Sequence, residues 1–216
     1  VYLRSWDSDE LRQQLLAVFA AAASGFIALG LSIELEREFL SVAIAAEMLA
    51  LCWIGSKLEI KALRPLAGVA ALFFGVLLLP QIALLIQLSA NVLIEARIHS
   101  LPIVNWPVFQ LGLPALFFVL GSLLLRTRAD TKLVAAFETA AVALTGLMGY
   151  YLMRQTFHPG ENILLATPAS FIERGTITNV LMLFGLGCSL IAAKYERPAI
   201  ARAALALIGI GVFRLF

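Results

Sequence analysis

A glutamate in the middle of an apolar run is the first residue of this chain that could do chemistry. Glu47 stands about eight residues into such a run, roughly 12 Å from its end if the run is helical. Ionisable groups at that depth are costly in a membrane and are functional hypotheses by default. Gln81, which follows Pro80, and Asn179 reach similar depths in other runs. The three make a candidate intramembrane polar site, where a carboxylate could carry protons or bind a substrate hydroxyl. The plainer alternative is a hydrogen-bonded Glu47 that fastens helices together.

Glu138 and Arg202 enter their own runs from the other side, to comparable depths. Opposite charges at one depth offset each other's desolvation, so a structural ion pair is expected there. Gln87, Asn91, Glu95 and His99 recur every four residues and would form one polar stripe on a continuous helix. With His158, Glu173 and Arg174 they make up the polar residues expected at the outer face. Such a stripe either lines a vestibule or simply faces water. His99 and His158 have no cysteine or paired carboxylate near them, so no metal site is expected. Cys52 and Cys188 lie in apolar runs and are expected to be packing thiols. There is no G-x-S-x-G, P-loop or H-E-x-x-H motif, and no cofactor is expected.

The elements that must position these residues follow from composition. Of 216 residues, 61% are hydrophobic and 14% charged. A soluble domain averages about 45–50% apolar and about 25% charged. The excess falls in runs at Leu15–Ile33, Phe39–Ile54, Leu66–Leu88, Phe109–Leu125, Leu133–Met153, Ile172–Ala193 and Ala199–Phe216. Each is near the length that crosses a bilayer as a helix. The runs are continuously apolar, whereas barrel strands alternate. An all-α polytopic transmembrane bundle of about seven spans is therefore expected, forming a single domain over residues 1–216. Its partners would be the lipid bilayer and further helices. The net charge of +2 is spread over short loops, which gives nucleic acid no basic patch.

Local signals place the breaks. Asp130 and Thr131 can cap the fifth run, and Ser170-Phe171-Ile172-Glu173 reads as a capping box for the sixth. Pro198 suits the first turn of the seventh. Pro80 predicts a kink in the third. Ala21/Gly25 and Ala135/Thr139/Ala143 are small residues at the spacing of close helix contacts. Trp106, Tyr150 and Tyr151 are expected at the outer membrane interface.

Lys and Arg set the orientation. Arg4, Arg12, Lys57, Lys61, Arg64, Arg126, Arg128, Lys132, Lys194, Arg197 and Arg202 fall on one side of the expected bundle. Only Arg37, Arg97, Arg154 and Arg174 fall on the other. The positive-inside rule then puts the start of the chain on the cytoplasmic side. Two long outer segments result, Asn91 to Trp106 and Arg154 to Ala169. The chain starts at Val1 without an initiator Met and ends in an apolar run at Phe216, which predicts a segment of a longer chain.

Several stretches carry a resemblance. They are Glu38-Phe39-Leu40-Ser41-Val42-Ala43 with Glu47 following, Leu111-Gly112-Leu113-Pro114-Ala115-Leu116, and Phe137-Glu138-Thr139-Ala140. Arg174-Gly175-Thr176-Ile177-Thr178-Asn179 follows, then Ala201-Arg202-Ala203-Ala204 ahead of Gly209-Ile210-Gly211-Val212-Phe213. In order and spacing they resemble the bacterial membrane proteins grouped as domain of unknown function 2339. The resemblance spans most of the chain. It implies a multi-pass protein of the bacterial inner membrane, associated with the cell envelope, and brings no established activity. Glu47, Glu138, Glu173 and Arg202 look like that family's recurring polar positions. The chain lacks most of the family's length.

Two classes of function are compatible with these residues. One is a scaffold or a binding or transport module for an envelope-associated small molecule or lipid. The other is a membrane-embedded glycan or lipid transferase with Glu47 or Glu173 as base.

Overall fold

A computed structural model describes residues 37–58, 63–86, 108–126, 131–157 and 169–213, with scattered positions between 15 and 30. Among the described residues the chain is helical apart from Ala169, Ser170 and the turn at Tyr195–Arg197, and contains no strand. In lipid no water satisfies the backbone, so a spanning segment must close its hydrogen bonds within itself. The second to seventh expected runs each fall on one helix. Of the first, Leu15, Val18, Phe19, Ala22, Ala23, Gly25, Phe26, Ile27 and Gly30 are helical and exposed, and its other positions lie outside the described residues.

The chain divides into two compact units, Val1–Val76 and Leu77–Phe216. In the first, helix α1 (Arg37–Leu58) buries Leu40, Ile44, Met48 and Cys52. These recur every four residues and so share one face. Helix α2 (Leu63–Ile86) begins here with Leu63 and Ala67 fully buried. It runs on past Pro80, whose side chain, like that of Gln81, lies outside the described residues.

The second unit is a bundle organised around one helix. A π-helical turn, Val108–Gly112, leads into α3 (Leu113–Arg126). Helix α4 (Thr131–Phe157) packs against α3, α5 (Phe171–Lys194) and α6 (Pro198–Phe213). Phe118 of α3 and Phe137 of α4 meet edge to face, with centroids 5.2 Å apart. Val142, Cys188 and Ala204 join α4, α5 and α6 in one buried cluster.

Small residues let α5 and α6 approach closely. A Cβ on Gly185 would stand 2.6 Å from Ile208 Cγ1 and 3.1 Å from the Ala204 carbonyl oxygen. Thr178 Oγ1 donates across the same interface to the Gly211 carbonyl at 3.3 Å. The expected small-residue contacts lie elsewhere. Thr139 and Ala143 are exposed, Thr139 bonding back to its own helix at Ala135 O (2.8 Å), and Gly25 has nothing near its Cβ position. Residue type was read correctly there, but the helical phase turns that face outward.

The connection between α5 and α6 is tight. Tyr195 N–H donates to Ile191 O at 3.0 Å and Arg197 N–H to Ala192 O at 2.8 Å. This is a Schellman closure, and its left-handed residue is Glu196, with φ 53°, where glycine is usual. Pro198 then opens α6, as its place in the sequence predicts.

Four stretches are long and apolar enough to cross a membrane: Leu40–Lys57, Val108–Arg126, Lys132–Phe157 and Phe171–Lys194. Leu63–Leu79 and Pro198–Phe213 are shorter apolar helices. Leu116, Leu120 and Leu123 on α3, and Leu183, Leu186 and Leu190 on α5, stand exposed on the bundle surface. Apolar surface on that scale faces lipid in a stable protein.

Candidate functional site

Two charged clusters occupy opposite ends of the second unit. The first gathers where α3 and α5 end and α4 and α6 begin. Glu138 lies in the second turn of α4 and is 5% exposed. Its Oε1 accepts from Arg126 Nη2 at 2.7 Å and lies 3.5 Å from Arg197 Nη1. One carboxylate thus joins the last residue of α3 to the residue preceding α6.

The expected partner, Arg202, does not form that pair. It is exposed, and its Nε donates to the Pro198 carbonyl at 3.3 Å. Depth alone suggested the pair. Arg202 lines the same cavity as Glu138, but its Nε is bonded to the first turn of its own helix and the guanidinium forms no ion pair with the carboxylate. Arg126 and Arg197 reach Glu138 because both sit at helix ends that converge there.

Around this cluster lies a cavity of about 450 Å³. Arg126, Lys132, Arg197 and Arg202 line it, with Glu138 and Glu196 as the acidic residues and Val134, Ala135, Pro198 and Ala199 as the apolar ones. The Nε atoms of Arg126 and Arg197, like that of Arg154 at the other end of the unit, are buried with no hydrogen-bond partner among the described residues. Both α4 and α6 present their first turns to the cavity, where unpaired N–H groups and the helix dipole favour negative charge.

The second cluster is at the far end. Arg154 Nη1 donates to Glu173 Oε1 at 2.6 Å, and both side chains are 2% exposed. Gln155 beside them is buried too. The expectation that Arg154 opens an outer segment is therefore corrected, and Glu173, expected among the polar residues of the outer face, is buried against it. Helix α4 continues to Phe157, and Arg154 lies in its last turn, turned into the bundle. Glu173 is in the first turn of α5, where Ser170 Oγ accepts its N–H at 3.2 Å as half of the expected capping box. A cation at a helix C-terminus and an anion at an N-terminus also each suit the local dipole. Arg174 remains exposed, its Nε donating to Ala169 O at 3.1 Å.

The other sequence candidates are scattered. Glu47, in the first unit, is half-buried and has a polar or charged partner. Asn179 is exposed on α5, one residue beyond the buried Thr178. Gln87, Asn91, Glu95, His99 and His158 lie outside the described residues, as does Trp106. Tyr150 and Tyr151 form an edge-to-face pair at 5.8 Å, half-buried in α4. Cys52 and Cys188 are buried free thiols. Sequence reading missed the basic cavity. Its signal was present, since Arg126, Lys132 and Arg197 flank three consecutive helix ends on one side.

Apolar spanning helices, outward-facing leucines and charges gathered at the helix ends define a polytopic α-helical membrane protein. Comparison with protein-family models, curated proteins and solved structures gives no match to this chain.

Proposed function

We propose that this chain is a module of a longer bacterial inner-membrane protein, related to domain of unknown function 2339, that binds an envelope-associated small molecule or lipid. The observation that carries the reading is the basic cavity: four cationic side chains around a single buried carboxylate. Four cations against the two carboxylates Glu138 and Glu196 leave an excess of positive charge that a ligand with acceptor atoms would offset. The site thereby moves from the outer half of the bundle to its basic end, which the positive-inside rule assigns to the cytoplasmic face. The transferase alternative loses its second base, because Glu173 is held by Arg154 in a buried pair.

Native mass spectrometry of the chain purified in mild detergent tests the reading. The expected spectrum contains a retained non-protein adduct that is lost when Lys132 and Arg202 are replaced by Ala. A bare chain under gentle activation, with no adduct at any detergent level, favours a scaffold. Orientation is tested separately, by labelling a single cysteine at position 132 or 174 in intact cells. Impermeant reagent should reach position 174 and spare position 132.

A further inference from the structure

We infer that the ligand group held in the basic cavity is a phosphate, carried as a monoester by a membrane lipid or present as a free phosphate. This rests on the binding reading above and narrows it. Charge is the first argument. Arg126, Lys132, Arg197 and Arg202 face two carboxylates, Glu138 and Glu196, which leaves a cationic excess that a phosphate monoester of about −1.5 to −2 charge at pH 7 neutralises.

Donor geometry is the second. Arg126 gives Glu138 a terminal nitrogen at 2.7 Å and Arg197 brings one to 3.5 Å, while the two side chains stay 29% and 30% exposed. Guanidinium forks match phosphate oxygens as well as carboxylates, so the exposed edges of the same two arginines can hold a phosphate beside Glu138. The exposed Lys132 and Arg202 flank the cavity as the groups free to close on it.

The backbone is the third. The first turns of α4 and α6 both line the cavity, and Ala199 and Ile200 of α6 have no acceptor one turn earlier within their own helix. Two N-terminal dipoles directed at one space, with cations around it, make an anion site of the kind phosphates occupy. Val134, Ala135, Pro198 and Ala199 supply an apolar floor along which an ester chain can run. Basic pockets between spanning helices near the cytoplasmic surface are where lipid phosphates are held in membrane proteins generally.

The test uses the whole chain in phosphatidylcholine nanodiscs, with thermal unfolding read by tryptophan fluorescence. One arm adds phosphatidic acid to the bilayer. Another adds inorganic phosphate to the buffer, and a third adds chloride at matched ionic strength. A rise in midpoint with phosphatidic acid alone assigns the phosphate to a lipid. A rise with inorganic phosphate alone assigns it to a soluble source. In either case the Lys132→Ala, Arg202→Ala double variant should raise the half-effect concentration at least about tenfold, since each charged hydrogen bond lost is worth that or more. Both residues are exposed, so the unliganded midpoint should hold. If it falls, Lys132→Gln with Arg202→Gln replaces the pair. Arg174→Ala, at the opposite end, should leave the titration unchanged. The inference is overturned if chloride matches phosphate, if neither phosphate source shifts the midpoint, or if the double variant titrates like the parent. A retained adduct without phosphorus would also overturn it while leaving the broader binding reading intact.

Discussion

Replacing Arg154 by alanine leaves the Glu173 carboxylate buried without its counter-charge. At an effective dielectric of about 20, unit charges 2.6 Å apart attract by roughly 6 kcal/mol. Taking both ions out of water costs several kcal/mol per ion, so the intact pair comes close to breaking even. Losing one member is different, because the cost of burying the survivor remains. Both side chains are 2% exposed, which places the pair in the class where removing one partner costs about 3–5 kcal/mol. For a chain of this size each kcal/mol moves the unfolding midpoint by roughly 2–4 °C, so Arg154→Ala should lower it by on the order of 10 °C. The assay is a double-mutant cycle read by thermal unfolding in mild detergent, with Arg154→Met, Glu173→Leu and the two combined. The combined variant should recover most of the stability that either single change removes, because two apolar residues leave no stranded charge. Losses that simply add would refute the reasoning, as would an Arg154→Ala protein that unfolds with the parent.

Glu138→Ala should destabilise by about 2 kcal/mol, less than Arg154→Ala, because Arg126 and Arg197 are 29% and 30% exposed and can turn to solvent. In ligand-free protein, Arg202→Ala should change the midpoint by no more than a surface substitution does, within about 0.5 kcal/mol. Gly185→Leu should cost about 1–3 kcal/mol by overpacking against Ile208 and the Ala204 carbonyl. Gly187→Ala, with open space at its Cβ, should be neutral or stabilising by about 0.5–1 kcal/mol. Denaturant titration of this glycine pair separates close approach from helix propensity. Glu196→Gly relieves a left-handed backbone and should raise stability by about 1 kcal/mol, seen as a higher midpoint in the same thermal scan.

The architecture was legible because lipid imposes it. Continuous apolar runs admit little but helices, and six of them stand where the hydropathy pattern predicts. The Ser170 cap and the Pro198 start were legible too, since their chemistry is local. What depended on helical phase was not. Asn179 has suitable depth yet is exposed on its helix, and Arg202 is exposed at the cavity, bonded back to its own first turn. Arg154 was read as the start of an outer segment because a hydropathy run stops at the first charge, whereas Glu173 was read in the first turn of its helix but without its partner. Each ion is held inside by a counter-charge 19 residues away on a different helix. Glu138 failed in a milder way: it pairs as expected, but with the arginines that the helix ends bring to it.

The buried pair also bears on how the protein responds to a membrane voltage. A lone arginine or glutamate displaced across the full field does about 2.3 kcal/mol of electrical work per 100 mV. Arg154 and Glu173 fall within the Lys132–Phe157 and Phe171–Lys194 spans and are bonded to each other. When α4 and α5 shift together, the two forces oppose and cancel. The far end of the bundle can therefore hold full charges in its interior and still move without sensing the potential. Either single replacement would leave one uncompensated charge in the field.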